Sequence, residues 1–371
     1  MTADYLAERQ AAFGDKLGRS INLFLCPQER YAARQSRLEF YFAPIFSTLK
    51  QRSYAAAAGQ ARITAFEACM ARHPDLVFVH RLYGAAPVLR AVRERRVPVL
   101  MDLDEVEHRW FYRSIGEPPR WPLKRLFYLH LPAMVLYELS TIRRMTRTYV
   151  ASPHDARYLT RLGCKNVVSI PNVVPSPAVV PAPAQEPLAL FVGSFRYQPN
   201  VTAANILLRE IWPRIIAAVP AARLVLAGEN PENLDLPGQR SGIELPGFVD
   251  DIGALYARAR VVCCPIFTGG GTRLKLIEAA AYARAIVSTP VGAEGIAFKD
   301  NESALLCSST DALARNCIDL LLNPARAANI GAAARAMFLR DHDRVALVDQ
   351  LGKSFRDLVD ARQAPTQDNR I

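Results

Sequence analysis

Phe267 to Ile296 reads FTGGGTRLKLIEAAAYARAIVSTPVGAEGI, and the order of its residues runs against helix electrostatics. An apolar run ends, three glycines follow, and a helical pattern opens on Arg273 and Lys275. Consecutive glycines are ordinary in a tight strand-to-helix turn, where φ > 0 is often needed. The cations are not. A helix N-terminus carries roughly half a positive charge, so acids suit its first turn and each base costs about 0.3–1 kcal/mol. No Asp or Glu offsets them here. An anion resolves the conflict: N–H groups from Gly269 to Thr272 form a nest at a helix N-terminus, and Arg273 and Lys275 add charge.

Leu274, Ile277 and Ala281 fall at i, i+3 and i+7 and predict the core-facing stripe of this helix. Lys275 and Glu278 are i, i+3 and share a neighbouring face, turned toward a cleft. A sugar nucleotide suits that set, with its diphosphate on the nest and cations and its ribose hydroxyls on the carboxylate. The plainer alternative is a structural glycine turn beside a solvated Lys275–Glu278 pair. The stretch is neither GxxxxGK[ST] nor GxGxxG.

Around it, short apolar runs alternate with helical patterns. LALFVGSF, ARLVLAGE, GIELPGF, RVVCCPIF, AIVSTP and ALLCSS read as strands on the C-terminal side; INLFLCP, DLVFVH, VPVLMDLD and RTYVASP do so on the N-terminal side. Helix candidates between them include AAAAGQARITAFEACMARH and GAAPVLRAVRER. The rhythm predicts parallel sheets covered on both faces. Between Pro171 and Pro187, PNVVPSPAVVPAPAQEP holds six prolines, which predicts a semi-rigid extended linker. The expected organisation is therefore an N-terminal domain over 1–170, a linker over 171–187 and a C-terminal domain over 188–340. A C-terminal helix over 341–360 is expected to return toward the N-domain, with a frayed tail over 361–371.

Of the 371 residues half are apolar, and charge is interspersed throughout, which excludes a disordered chain. Residues 1–170 hold 26 Lys+Arg against 15 Asp+Glu, while 171–371 hold 20 of each, so the whole net charge of +11 lies in the N-terminal half. Such asymmetry points to a polyanionic partner, a membrane surface or nucleic acid. Seven scattered cysteines show no metal or disulfide spacing and fit a reducing cytoplasm; Cys263 and Cys264 adjoin in a buried strand. The N-terminus lacks the order of a signal peptide. LFYLHLPAMVLYELSTI, interrupted by His130, Pro132 and Glu138, reads as a core or interfacial helix, not a membrane span.

Ligands of open α/β sheets bind beyond the carboxyl ends of the strands. FVGSFRYQPN, AGEN and FTGGGTRLK place Gly193, Arg196, Gly228 and the triple glycine there. GGGTRLKLIEAAAYARAIVSTPVGAEGI resembles the donor-site signature of glycosyltransferase family four, whose members have the GT-B fold of two Rossmann-like domains facing across a cleft. SIPNVV from Ser169, FVGSFRYQPN from Phe191 and LPGFVDDIGALYARARVVCCPI from Leu245 extend the resemblance over roughly 145–300. It implies a retaining, metal-independent hexosyltransferase acting in cell-surface polysaccharide or glycoconjugate synthesis. The donor is a nucleotide sugar, the acceptor a saccharide or lipid-linked saccharide, and no cofactor is implied. Gly193 and Arg196 match the loop near the diphosphate, with Gly228 after the next strand. Phe248 and Val249 match the segment beside the base. Gly270, Gly271, Thr272, Arg273 and Lys275 match the phosphate loop, and Glu278 the glutamate expected at the ribose.

The sequence departs from the pattern in three places. The first glutamate of the E-x7-E motif falls at Gly270, and Asn200 stands where a phosphate-binding lysine is often found, a role Arg273 and Lys275 take over. At the front, Glu8–Arg19 reads as the first helix and INLFLCP as the second strand, so the first strand and its cleft loop are missing from the pattern. That departure keeps open a non-catalytic nucleotide-sugar-binding scaffold of the same fold, as well as a GT-B nucleotide-sugar epimerase.

VLMDLDEVEHRW holds Asp102, Asp104, Glu105, Glu107 and His108 at a strand end. Asp-x-Asp there suits a divalent ion, but the resemblance favours a cleft-facing pair, with Asp102 or Asp104 receiving or positioning the acceptor hydroxyl proton. Strand-end caps are the plainer alternative, and His108 reads as a surface or capping histidine. Arg109 to Arg147 interleaves eight Arg and Lys with Trp110, Phe111, Tyr112, Trp121, Phe127 and Tyr128, against Glu117 and Glu138. That composition suits an anionic leaflet more than single-stranded nucleic acid. The expected location is cytoplasmic and peripheral, at the inner face of the cell membrane.

Overall fold

A computed structural model describes residues 36–363 except 51–53, 55–58, 93–96, 117–120, 183, 237 and 239–240. The expected helix Glu8–Arg19, the expected strand INLFLCP and the question of a missing first strand lie outside the described residues.

Strands β1 (Val77–His80), β2 (Val99–Asp102), β3 (Arg147–Val150) and β4 (Val167–Ser169) form one sheet in sequence order, every pair parallel. Helices α1 (Arg37–Phe46), α2 (Gln60–Met70), α3 (Ala85–Val92), α4 (Glu107–Ile115), α5 (Leu131–Arg144) and α6 (Pro153–Arg161) surround it. The run LFYLHLPAMVLYELSTI divides at Leu131, a 3₁₀ segment over Pro122–His130 preceding α5. β4 was not among the expected strands, because Val167–Ser169 is short and only partly covered.

The second sheet has the order β10-β9-β8-β5-β6-β7, with β5 (Leu188–Val192), β6 (Arg223–Ala227), β7 (Ile243–Gly247), β8 (Val261–Cys264), β9 (Ala285–Ser288) and β10 (Leu305–Leu306), again all parallel. β8 and β9 are buried along their whole length, which explains continuous apolar runs in place of alternation. α7 (Gln198–Ile206) passes through a π-turn over Leu207–Ile211 into α8 (Trp212–Ala218). Then come α9 (Ile252–Arg258), α10 (Leu274–Ala281), α11 (Thr310–Leu322), α12 (Pro324–Asp341) and α13 (Arg344–Gln363). Strand order reverses between β5 and β8, the crevice where doubly wound sheets bind ligands. The loop after β5 carries Gly193, and that after β8 carries Gly269–Gly271.

The expected apolar stripe of α10 needs correction. Leu274 is 48 % exposed, while Leu276, Ile277 and Ala279 to Ala281 are buried. The helix lies between the sheet and α12, so burial spreads around it instead of following one face.

The proline-rich segment is strapped to the second sheet by two buried arginines. Arg284 Nη2 donates to the carbonyls of Pro181 (2.7 Å) and Ala182 (3.0 Å), and Arg260 to those of Ala184, Gln185 and Leu321. Prolines offer no N–H for pairing, so their carbonyls are satisfied from outside. At the far end His342 Nδ1 meets the Asn172 carbonyl at 2.7 Å. From there α13 crosses to the first sheet, setting Phe355 against Phe78 and Tyr149 and Ser354 against Arg147. α13 runs to Gln363, past the expected start of the tail, whose residues 364–371 lie outside the described residues.

Arg284→Met is expected to strip two carbonyls of charge-assisted partners, each worth about 1.5–3 kcal/mol. Thermal denaturation should show a lower Tm, and limited proteolysis should cut between Pro171 and Pro187. An unchanged Tm and cleavage pattern would mean the strap is not held this way.

Candidate functional site

Most capped helices here are ordinary. Ser36, Ser152 and Ser309 each accept a first-turn N–H, and Glu39, Asp155 and Asp311 add an acid. The two helices that open at the β5–β8 crevice lack both, as do α2, α5, α8, α9 and α12. Neither α7 nor α10 has a side-chain cap or an acid in its first turn. Their N-termini meet at Lys275, whose Nζ donates to Asn200 Oδ1 at 2.8 Å and stands 4.1 Å from the centre of the Phe191 ring. Lys275 is 9 % exposed. A Cβ added at Gly193 would lie 2.7 Å from Asn200 Nδ2 and 2.9 Å from Lys275 Nζ, so only glycine leaves room for this pair. Burial pushes the Lys275 ammonium down to about 8; Arg273 lowers it further, while Cys264 and Glu278 oppose the shift.

Arg273 is 7 % exposed and faces its own loop. Its Nη1 donates to the carbonyls of Gly270 and Gly271, the latter at 2.5 Å. Nε and Nη2 are buried with no hydrogen-bond partner among the described residues. That leaves one edge of a rigid planar fork unsatisfied, the edge that takes two oxygens of a carboxylate or phosphate at once. Gly269 and Gly271 have φ of 122° and 73°, which turns the loop under the guanidinium.

Glu278 lies one turn beyond Lys275 and accepts from the Tyr256 hydroxyl at 2.7 Å. Burial raises its carboxyl, against the opposing effects of that bond and of Lys275. Gly228 touches the Gly193 carbonyl, which keeps the two loops in contact. Thr272 packs against Gly295. Arg196, by contrast, turns to the loop after β6, where Nε meets Asn230 Oδ1 at 2.6 Å and Glu229 at 3.9 Å. Phe248, 68 % exposed, and half-buried Val249 follow β7 at the sheet edge.

The acids after β2 also depart from expectation. Asp102 Oδ2 meets His80 Nδ1 at 2.9 Å, and Asp104 meets Arg81 Nη2 at 2.7 Å. Glu105 is the acid that reaches the glycine loop, its Oε2 lying against Gly270. Burial, then repulsion from Glu105 and Glu138, pushes the Glu107 carboxyl up to about 8. His108 is not at the surface. Its Nδ1 lies 2.5 Å from Glu138 Oε2 and its Nε2 2.7 Å from the Tyr158 hydroxyl, because fully buried Glu138 needs partners inside the domain. Among the described residues no three His, Cys, Asp or Glu gather as metal ligands.

Between the sheets lies a narrow pocket bordered by Glu105, Trp110, Arg113, Thr272 and Glu294. Arg113 grips Glu294 with both terminal nitrogens, at 2.7 and 3.0 Å, and also donates to the Gly269 carbonyl at 3.0 Å. Arg109 bridges Asp155 and Glu294. Burial alone would raise the Glu294 carboxyl, but the hydrogen bond and charge of Arg113 hold it below the usual range.

Two facing parallel sheets with a cationic crevice at the switch point define a GT-B architecture. Solved structures agree. The sucrose-phosphate synthase of Thermosynechococcus elongatus aligns with a TM-score of 0.66 at 20 % identity, over 84 % of this chain and 80 % of that one. TarM of S. aureus aligns at 0.61 and 13 %, over 80 % of this chain but 58 % of its own. Anabaena HepE in complex with UDP-glucose aligns at 0.57 and 13 %, over 80 % and 82 %. Residues 186–323, within the C-terminal domain, match the family model described as glycosyl transferases group 1. No curated protein sequence matches the chain.

With the Lys275 ammonium at about 8, its charge is lost as pH rises through that value. Affinity for inorganic pyrophosphate, measured by calorimetry, is therefore expected to fall about tenfold between pH 7 and 9. The unliganded fold moves the other way, gaining stability from about pH 8 upward as the unfolded chain holds the proton longer. Lys275→Arg should flatten the binding profile. A flat profile in the wild type would exclude the Lys275 charge from binding.

Proposed function

We propose that this chain is a retaining, metal-independent glycosyltransferase. It moves a sugar from a nucleotide-sugar donor to a saccharide or lipid-linked acceptor in cell-surface polysaccharide or glycoconjugate synthesis. The observation that carries the reading is the open guanidinium edge of Arg273, buried beside Lys275 where two uncapped helix N-termini meet. A dianion there satisfies both cations and the free N–H groups together. The HepE structure with UDP-glucose shows that this architecture accommodates such a donor.

As the glycosidic bond breaks, negative charge grows on the diphosphate, and a preorganised cation pair stabilises it most at that moment. Arg273 and Lys275 take this part. Gly193, Gly228, Gly270, Gly271 and Thr272 let backbone approach the phosphates. Glu278 receives ribose hydroxyls, and Phe248 and Val249 border the base. Arg196 lies at the rim. Asp102 and Asp104, at the carboxyl end of β2, orient the acceptor hydroxyl from the opposite sheet. No cofactor enters this scheme.

The finer location we propose is a peripheral one, on the anionic inner face of a membrane. Leu38, Phe42 and Phe46 on α1 and Leu123, Tyr128 and Leu129 on the 3₁₀ segment are exposed on neighbouring elements, with Arg125 nearby in sequence. Transfer of each large apolar side chain from water is worth about 1.5–3 kcal/mol. Among the described residues no helix is long and apolar enough to cross a membrane.

Lys275→Ala is expected to lower kcat about 10²–10³-fold, as loss of one preorganised donor does. Turnover is followed on a panel of nucleotide sugars, with NMR of the product. An unchanged rate removes the residue from the mechanism, and an epimerised donor without acceptor overturns the transfer reading. For the membrane, Leu38→Ser with Phe46→Ser should weaken co-sedimentation with phosphatidylglycerol vesicles at least tenfold; equal binding by the variant rejects that face.

A further inference from the structure

The loop that holds Arg273 is met from the other sheet by one carboxylate. Glu105 sits in the turn between β2 and α4, and a Cβ at Gly270 would stand 2.8 Å from its Oε2, 3.4 Å from Trp110 Cδ1 and 3.6 Å from Trp110 Cβ. The same oxygen lies 3.8 Å from the Cβ position of Gly271. Any L-residue at 270 would have to displace the acid. Among the described residues the Glu105 carboxylate has neither a hydrogen-bond partner nor an ion pair, unlike Asp102 and Asp104 beside it. It feels the charge of Arg273, yet the two form no pair within 4.0 Å. Across the glycine loop, then, a buried guanidinium edge with no partner among the described residues stands near a half-buried, unpaired acid.

This separation of charge selects a ligand with two unlike ends. A carboxylate repels phosphate, so a diphosphate seated on Arg273 and Lys275 turns its other substituent toward Glu105. Hydroxyl groups are neutral donors that form short, strong hydrogen bonds to a carboxylate. Resting on the donor-site reading above, we infer that Glu105 reaches across the domain interface to accept hydrogen bonds from hydroxyls of the sugar being transferred, with Trp110 packing beside it. Gly270 lacks a side chain so that an acid from the other domain can take that place. Glu105 is thus a sugar-selecting residue in a site otherwise built by the C-terminal domain, and the site is complete only when the two domains meet.

The test separates the two ends of the donor. Wild type, Glu105→Ala and Glu105→Gln are titrated calorimetrically with UDP, GDP and ADP, and with the glucose, galactose, mannose and N-acetylglucosamine conjugates of whichever binds. Removing the acid should leave diphosphate affinity equal or tighter, while the best conjugate weakens tenfold or more. Parallel loss for diphosphate and conjugate would make Glu105 a prop for the loop, and no loss for either would make it a bystander; both overturn the inference while the donor site stands. Failure of every diphosphate to bind the wild type overturns the donor site itself, and this inference with it.

Discussion

Two cations, Arg273 and Lys275, lie buried under a glycine turn at the positive end of a helix, and among the described residues neither is in an ion pair. Each is desolvated, and the shift of Lys275 records that cost directly. Neighbouring residues hold the arrangement without cancelling it. Asn200 fixes Nζ through a neutral oxygen, Phe191 offers the face of a ring, and Gly193 withdraws its side chain. Arg273 spends one nitrogen on its own loop and leaves the other edge unmade. Giving up stability at one point in this way suits a site whose bound anion would restore the balance.

The opposite wall of the crevice brings complementary chemistry. Arg113 and Arg109 draw Glu294 across the gap, so part of the cationic surplus of the first 170 residues serves the contact between domains. Arg143 and Arg147 are likewise engaged, with the Leu162 carbonyl and Ser354. Charge counted along a sequence therefore overstates the charge available to an outside partner. The same region also exposes apolar side chains, chiefly on α1 and the 3₁₀ segment. The interfacial binding proposed for that face would rest on hydrophobic transfer with electrostatics in a supporting part.

Much of the β5–β8 crevice was legible because its signals are local. Glycines, a helical period and misplaced cations within ten residues suffice to mark an anion site, and the runs that became β5, β8 and β9 carry their own burial pattern. Other features were not legible. β4 is too short to show a period. Leu274 fits the stripe by spacing, yet α12 buries other faces of α10. Arg196 lies in the right loop but is drawn away by Asn230, a residue 34 positions distant. His108 is claimed by Glu138 from 30 positions away. Glu105 looked like one acid among four, and only its approach to Gly270 singles it out; an unpaired acid following two paired ones has no sequence signature.

The sequence by itself determined the parallel α/β character of the chain and the positive turn at 269–275, since both follow from the chemistry of adjacent residues and from short periods. Tertiary structure alone decided which acids and bases meet. Hydrogen bonds and ion pairs act over a few ångströms in space while their partners lie tens to hundreds of residues apart, so the pairing of Arg113 with Glu294, and of Glu105 with Gly270, exists only once both sheets are folded and facing.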